Sequence, residues 1–312
     1  MLMLCFKRLV YAVFTLIFVA CLVFTVTEAL PGDFCTSYLG RNVNENNLAL
    51  CRDNFGLSQP MLERFSTWSS QLFKGNFGLS LSSGRPVNDE LLPRLANTAL
   101  LGGMAALLAI PLALFLGMVT AIYRDSWLDN LISGITLLAM TVPEFITATL
   151  LTLAFAIWLP WFPAVTLADA HAGLDELLPN AWLPALTLVL ISTAHMMRMM
   201  RSSTIDVLSA SFIRMARIRR IPPASLLLRH LLPAAVLPTI TLSAMTVAWL
   251  LGGVVIIEQV FNYPGIGTLM ISAVYDRDIP VVQACALTLS AIYIACNLFA
   301  DLCVTLLNPR LR

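Results

Sequence analysis

Six stretches of this chain are long and apolar enough to cross a lipid bilayer, and that property constrains the fold before any motif is read. No residue from Leu9 to Thr27 is charged, and none from Ala96 to Ile122. A hydrocarbon core about 30 Å thick takes ~20 consecutive apolar residues as a helix, because no water is there to satisfy an open backbone. The predicted spans are Leu9 to Ala29, Ala96 to Ile122, Leu131 to Leu159, Leu183 to Met200, Val236 to Ile257 and Val281 to Leu307. Of 312 residues only 12% are charged, against the ~25% of soluble domains, so the expected fold is an all-α polytopic membrane protein. The first run follows Lys7 and Arg8 and is longer than the apolar part of a signal peptide, so it reads as an uncleaved anchor.

Orientation comes from the Lys/Arg bias of short loops. With six spans, Lys7, Arg8, Arg124, Arg198, Arg201, the arginines from Arg214 to Arg229, Arg310 and Arg312 fall on one side, which makes both termini cytoplasmic. Residues 1–30 are then an N-terminal span and 31–95 an external loop domain. Residues 96–312 form a core of five spans with a cytoplasmic loop at about 201–235. Cys35 and Cys51 lie in the external segment, where a disulfide would contribute about 3 kcal/mol. Two free thiols are equally consistent with the sequence. His171, His195 and His230 stand far apart and no Cys-x-x-Cys occurs, so no metal site is expected. A net charge of +1 excludes the basic excess that nucleic-acid binding needs.

The cytoplasmic loop is where soluble machinery can act on the spans. From Ser211 to Pro233 it reads as a helix, a break and a second short helix. Pro222 and Pro223 make the break, since the residue before a proline leaves the α region while proline suits the first turn of a new helix. Leu226, Leu227 and Leu228 beside Arg229 form an apolar patch suited to a groove on another protein. On residue chemistry alone, a basic helix lying on anionic lipid fits equally well.

Phe212-Ile213-Arg214-Met215-Ala216-Arg217, then Leu227-Leu228-Arg229-His230 and Pro238, resembles the EAA-type loop of ABC importer permeases, above all the dipeptide/oligopeptide branch. The block Glu258 to Gly267 resembles the same branch, with Ala273, Arg277-Asp278, Pro280 to Gln283, Asn297, Asp301 and Asn308-Pro309-Arg310 after it. Gly75 to Ser80, Pro86-Val87, Thr141-Val142-Pro143 with Phe145, and Leu183 to Leu186 extend the likeness over almost the whole chain. The resemblance implies a type I ABC importer permease fold and a coupling helix seated in an ATPase cleft. On that basis Arg214, Ala216, Arg217, Arg220, Leu227, Leu228, Arg229 and His230 are the expected coupling residues. The implied partners are a second permease forming a heterodimer, two ATP-binding subunits, an extracytoplasmic solute-binding protein and membrane lipid. Short peptides are the expected cargo; related permeases carry nickel chelates, glutathione or cationic peptides. The chain departs from the pattern at Arg220 (usually Gly), Pro222 (a Ser-type cap), Ala234 (Asn) and Asn76 (Asp). If the Gly position needs a left-handed backbone, arginine there costs on the order of 1 kcal/mol.

Polar groups inside the hydrocarbon face a cavity or a partner. Glu144, after Pro143, either lines the substrate route or pairs at a subunit contact. Glu258 precedes the Pro264-Gly265-Ile266-Gly267 turn and is either part of an external gate or a structural cap. Asn297 and Asp301, four residues apart on one helical face, are assigned to helix packing. Met196, Met197, Met199 and Met200 read as gap-filling core rather than a copper site. A Walker A loop is absent, so ATP and Mg belong to partner subunits and this chain binds no cofactor. An ion-coupled secondary transporter is the alternative, and it would favour several midplane carboxylates where Glu144 stands alone.

Overall fold

The computed structural model describes residues 2–29, 34–39, 44–54, 58–236 and 254–307, with isolated positions 239, 243, 246 and 250 between the last two segments. Apart from an isolated bridge between Leu79 and Pro86, the described residues contain no β-structure. The described helices include α1 (Leu2–Ala29), α2 (Phe34–Leu39), α3 (Glu45–Asn54), α4 (Met61–Phe73), α5 (Val87–Ile122), α6 (Trp127–Thr141), α7 (Glu144–Thr152), α8 (Leu174–Ser209), α9 (Ser211–Ile218), α10 (Pro223–Leu226), α11 (Val255–Val260), α12 (Ile266–Asp276) and α13 (Ile279–Leu307). π-helical turns extend α7 through Leu153–Trp158 and α10 through Leu227–Leu231.

Among the described residues, four helical segments are long and apolar enough to cross a membrane: Phe6–Ala29, Val87–Ile122, Leu174–Ser209 and Ile279–Leu302. The third predicted span differs from expectation. Instead of one helix over Leu131 to Leu159, α6 and α7 meet at 109°. Pro143 is the cause: it drives Val142 to φ −76° and ψ 127°, outside the helical region, and α7 starts afresh behind it. Pro93, Pro111, Pro179 and Pro184 all sit inside unbroken helices, so a proline alone does not decide the outcome. The fourth span is also longer than Leu183 to Met200, because α8 continues through Arg201 to Ser209. Most of the fifth, Val236 to Ile257, lies outside the described residues.

The most extensive helix contact joins α5 to α8. Leu101, Ala105, Ala109 and Ala113 repeat every fourth residue on α5 and are fully buried, with Gly117 next in the row. Small side chains let two backbones approach, the usual basis of helix packing where lipid removes the hydrophobic driving force. At Gly117 the approach is closest: a Cβ there would lie 2.6 Å from Met200 Cβ and 2.7 Å from the Met197 carbonyl oxygen. Met196, Met197 and Met200 are buried here, whereas Met199, read with them as gap-filling core, is 39% exposed because it faces away from α5.

The segment between α1 and α5 folds as a small helical cap. A Cys35–Cys51 disulfide joins α2 to α3 across 5.9 Å between Cα atoms, which resolves the alternatives the sequence left open. Phe24 of α1 stacks on Phe65 and Trp68 of α4, and Arg64 pairs with Glu28 at 2.5 Å. Asp278, at the corner between α12 and α13, accepts hydrogen bonds from Ser80 Oγ at 2.5 Å and Ser82 N at 3.1 Å. That buried carboxylate ties the chain preceding α5 to the last helix pair.

Candidate functional site

At the arginine-rich end of the molecule, α8 leads through an extended Ala210 into α9. Ile213 and Ala216 turn inward, while Phe212, Met215 and Ile218 follow at spacings of three and are 47%, 51% and 74% exposed. Helix α9 closes with Ile221 N donating to Ala216 O and Arg220 N donating to Arg217 O. This is a Schellman end, whose penultimate residue must adopt the left-handed conformation. Arg220 does so, at φ 54°. The position therefore requires the backbone that glycine adopts freely, and arginine holds it at a cost. Pro222 is extended at ψ 140°, Pro223 opens α10, and the helix–break–helix corner expected from the sequence is present.

The corner presents its residues differently from expectation. Leu227 is half-buried and, with Leu226, Leu231, Ile213 and Arg217, borders a cleft of about 340 Å³ between the two arms. Of the predicted leucine patch, only Leu228 is strongly exposed, at 60%. Ala216 is buried and serves packing. Arg214, Arg217, Arg220 and Arg229 are exposed, and His230 Nδ1 lies 3.4 Å from Ser225 O. The exposed apolar face is thus the α9 stripe with Leu228 beside it, edged by arginines. Its spacing was visible in the sequence, where attention fell on the more conspicuous leucine run.

Two contacts fix this end rigidly. Ser203 Oγ donates to Ala235 O at 2.8 Å, joining α8 to the chain that follows α10. Arg201 grips Asp129 of α6 bidentately, Nε to Oδ1 at 2.8 Å and Nη2 to Oδ2 at 2.7 Å. Asp129 also accepts from Asp125 N and Ser133 Oγ and is only 2% exposed. Sequence reading missed this pair because its members lie in different predicted segments.

At the opposite end, Glu258 is fully buried. Its carboxylate accepts from Thr98 Oγ1 at 2.6 Å, Gly267 N at 2.7 Å and Thr268 N at 3.4 Å. Thr98 Oγ1 in turn accepts from Ile266 N at 2.9 Å. Together these groups satisfy the first amides of α12, where a helix N-terminus also favours negative charge. Both glycines are needed for the close approach: a Cβ on Gly265 would collide with the Glu258 carboxylate, and one on Gly267 would sit 2.5 Å from Val255 Cα. Asn97 Nδ2 reaches the carbonyls of Ala170 and Pro264, and Tyr263 Oη donates to Asn97 O at 3.2 Å. Glu258, Pro264, Gly265 and Gly267 are all buried. The sequence allowed a gate or a cap here; Glu258 caps the start of α12 in this structure, and the gate stays a proposal.

A family model described as binding-protein-dependent transport system inner membrane component matches residues 109–312, and its N-terminal counterpart matches residues 1–101. This chain belongs to that family. A putative peptide transport system permease protein of Brucella abortus (strain 2308) is 33% identical over 309 residues, covering 98% of each chain. A probable peptide ABC transporter permease protein of Sinorhizobium fredii is 31% identical over 306 residues, again 98% of each. A glutathione transport system permease protein of Escherichia coli (strain K12) is 35% identical over 306 residues, 98% of this chain and 97% of its own.

In this permease Glu144 stands half-buried at the start of α7, where the span breaks, within electrostatic reach of His195 of α8. His195, Arg198 and Met199 form the exposed strip of an otherwise buried stretch of α8, and Arg198 reaches Met140 at the end of α6. Asp301 forms an ion pair with Arg8 of α1. Its role is accordingly to fasten the last helix to the first.

Proposed function

We propose that this permease is one of two similar membrane subunits of an ATP-driven importer of short peptides, glutathione included among them. The relatives named above supply the cargo class. A second permease, two ATP-hydrolysing subunits and a solute-binding protein complete the machine, and ATP with Mg stays on the hydrolysing subunits. The arginine-rich end faces the cytoplasm with both termini, and the disulfide-linked cap faces outward, where a solute-binding protein delivers cargo.

One observation carries the reading: an exposed apolar stripe of Phe212, Met215 and Ile218, edged by arginines, stands on a corner fastened to α8, which in turn grips α6. An unpartnered stripe at helical spacing suits a groove in another protein. Seated in an ATPase cleft, it would convey nucleotide-driven closure to the spans and open the path outward to receive cargo. Glu144 and His195 are the candidates for contact with cargo or with the second permease.

The test is affinity purification of this subunit from detergent-solubilised native membranes, with co-purifying chains identified by mass spectrometry. A second permease and one or two ATPases in fixed ratio support the proposal. A chain that purifies alone, folded and without an ATPase, refutes it and reopens the ion-coupled alternative.

A further inference from the structure

Helix α1 packs chiefly on α13, and the two are fastened at both ends. Near one end Gln283 Nε2 donates to Thr27 Oγ1 at 2.8 Å; near the other, Arg8 pairs with Asp301. Between the fastenings the helices separate around an open groove of about 680 Å³. Its walls come from Arg8 to Val19 on α1 and from Leu289 to Asp301 on α13, a length of about 16–18 Å at 1.5 Å per residue. That is half the thickness of a bilayer core, one leaflet deep. Tyr11 and Tyr293, 68% and 48% exposed, flank it, and its surface is largely apolar.

We propose that this groove binds one anionic phospholipid of the leaflet on the Lys7/Arg8 side, with an acyl chain between the two helices and the phosphate at Lys7 and Arg8. The argument is one of packing and charge. A cleft of this size facing hydrocarbon forfeits dispersion contacts unless a chain fills it, and a one-leaflet groove matches a lipid tail. Arg8 lines the wall at its mouth, and Lys7, the residue before it in the chain, is exposed. Asp301 pairs with Arg8, and Lys7 adds a positive charge beside that pair among the described residues. Basic pockets between membrane helices select anionic headgroups for this reason. Ser290, at the deep end of the groove away from the Arg8–Asp301 pair, spends its hydroxyl on Ala286 O of its own helix and presents little polarity to the tail.

The test is quantitative lipid mass spectrometry on the intact transporter purified in mild detergent, comparing retained phosphatidylglycerol and cardiolipin with bulk membrane. The expected result is a severalfold enrichment of anionic lipid in the wild type. Ser290→Phe, which occupies the deep end of the groove where the acyl chain would lie, should lower it at least fivefold. Lys7→Gln, at an exposed position with no packing role, should lower anionic retention while sparing phosphatidylethanolamine. Retained lipid of bulk composition, or enrichment unchanged in both variants, overturns the proposal. So does efficient cross-linking of a cysteine at Ala12 to the second permease, which would mean that protein fills the groove.

Discussion

Two glycines of α5 should respond to the same substitution with opposite signs. At Gly117 an added Cβ meets Met200 Cβ at 2.6 Å, the Met197 carbonyl oxygen at 2.7 Å and Met200 Cγ at 2.9 Å. Ordinary contacts lie near 3.4–4 Å, so α8 must retreat by about 1 Å, and one of the obstructing atoms is its backbone. Overpacking of this kind costs about 1–3 kcal/mol. Gly103 has nothing within 4 Å of the same added atom, so alanine there gains the ~0.5–1 kcal/mol that glycine costs within a helix. With a melting shift of about 2 °C per kcal/mol for a chain of this size, Gly117→Ala should lower the midpoint by about 2–6 °C and Gly103→Ala should raise it by 1–2 °C. The assay is loss of the monodisperse elution peak after heating the purified transporter in detergent. If Gly117→Ala melts at or above the wild-type temperature, the α5–α8 seam is not as close as described.

Arg201→Met should destabilise by about 3–5 kcal/mol, since Asp129 is left charged and buried, while Arg201→Met with Asp129→Leu should recover most of the loss. The same heating assay, run as a double-mutant cycle, checks the coupling. Met215→Ala with Ile218→Ala removes two exposed side chains at no cost to the core, so insertion should be normal while transport falls at least tenfold. Counterflow-free uptake in proteoliposomes alongside ATPase rates would detect that uncoupling, and normal uptake would dismiss the stripe as the docking face. Arg220→Gly relieves a left-handed arginine and should stabilise the corner by up to about 1 kcal/mol, measured as slower hydrogen exchange of the Ile221 amide. Reduction of Cys35–Cys51, or Cys35→Ser, should cost about 3 kcal/mol and show first as protease sensitivity between Phe34 and Asn54.

Four of the spans and the helical corner were legible because they rest on local rules, apolar run length and the Pro222-Pro223 break, while the left-handed backbone at Arg220 was anticipated only through the family resemblance, which has glycine there. What escaped was decided across the sequence. Pro143 bends the chain by 109° whereas Pro111 and Pro184 do not, so the presence of a proline alone does not predict the break. The Asp129–Arg201 grip joins positions 72 residues apart. Glu258 was seen as a carboxylate at a turn, but its distant donor, Thr98, is 160 residues away. Two features did carry a local signal that went unread: the small residues at every fourth position of α5, and the three-residue spacing of Phe212, Met215 and Ile218.

Helix α8 has a consequence for how force travels. As 36 unbroken residues it is a rod about 54 Å long, longer than the hydrocarbon is thick, and its two prolines do not interrupt it. A stiff rod cannot absorb a push locally. A tilt of roughly 5° about its middle would carry each end by about 2 Å in opposite directions, so α8 is a lever whose fulcrum is the α5 seam. Mutations that soften it midway would disconnect the two faces of the membrane while leaving each end intact.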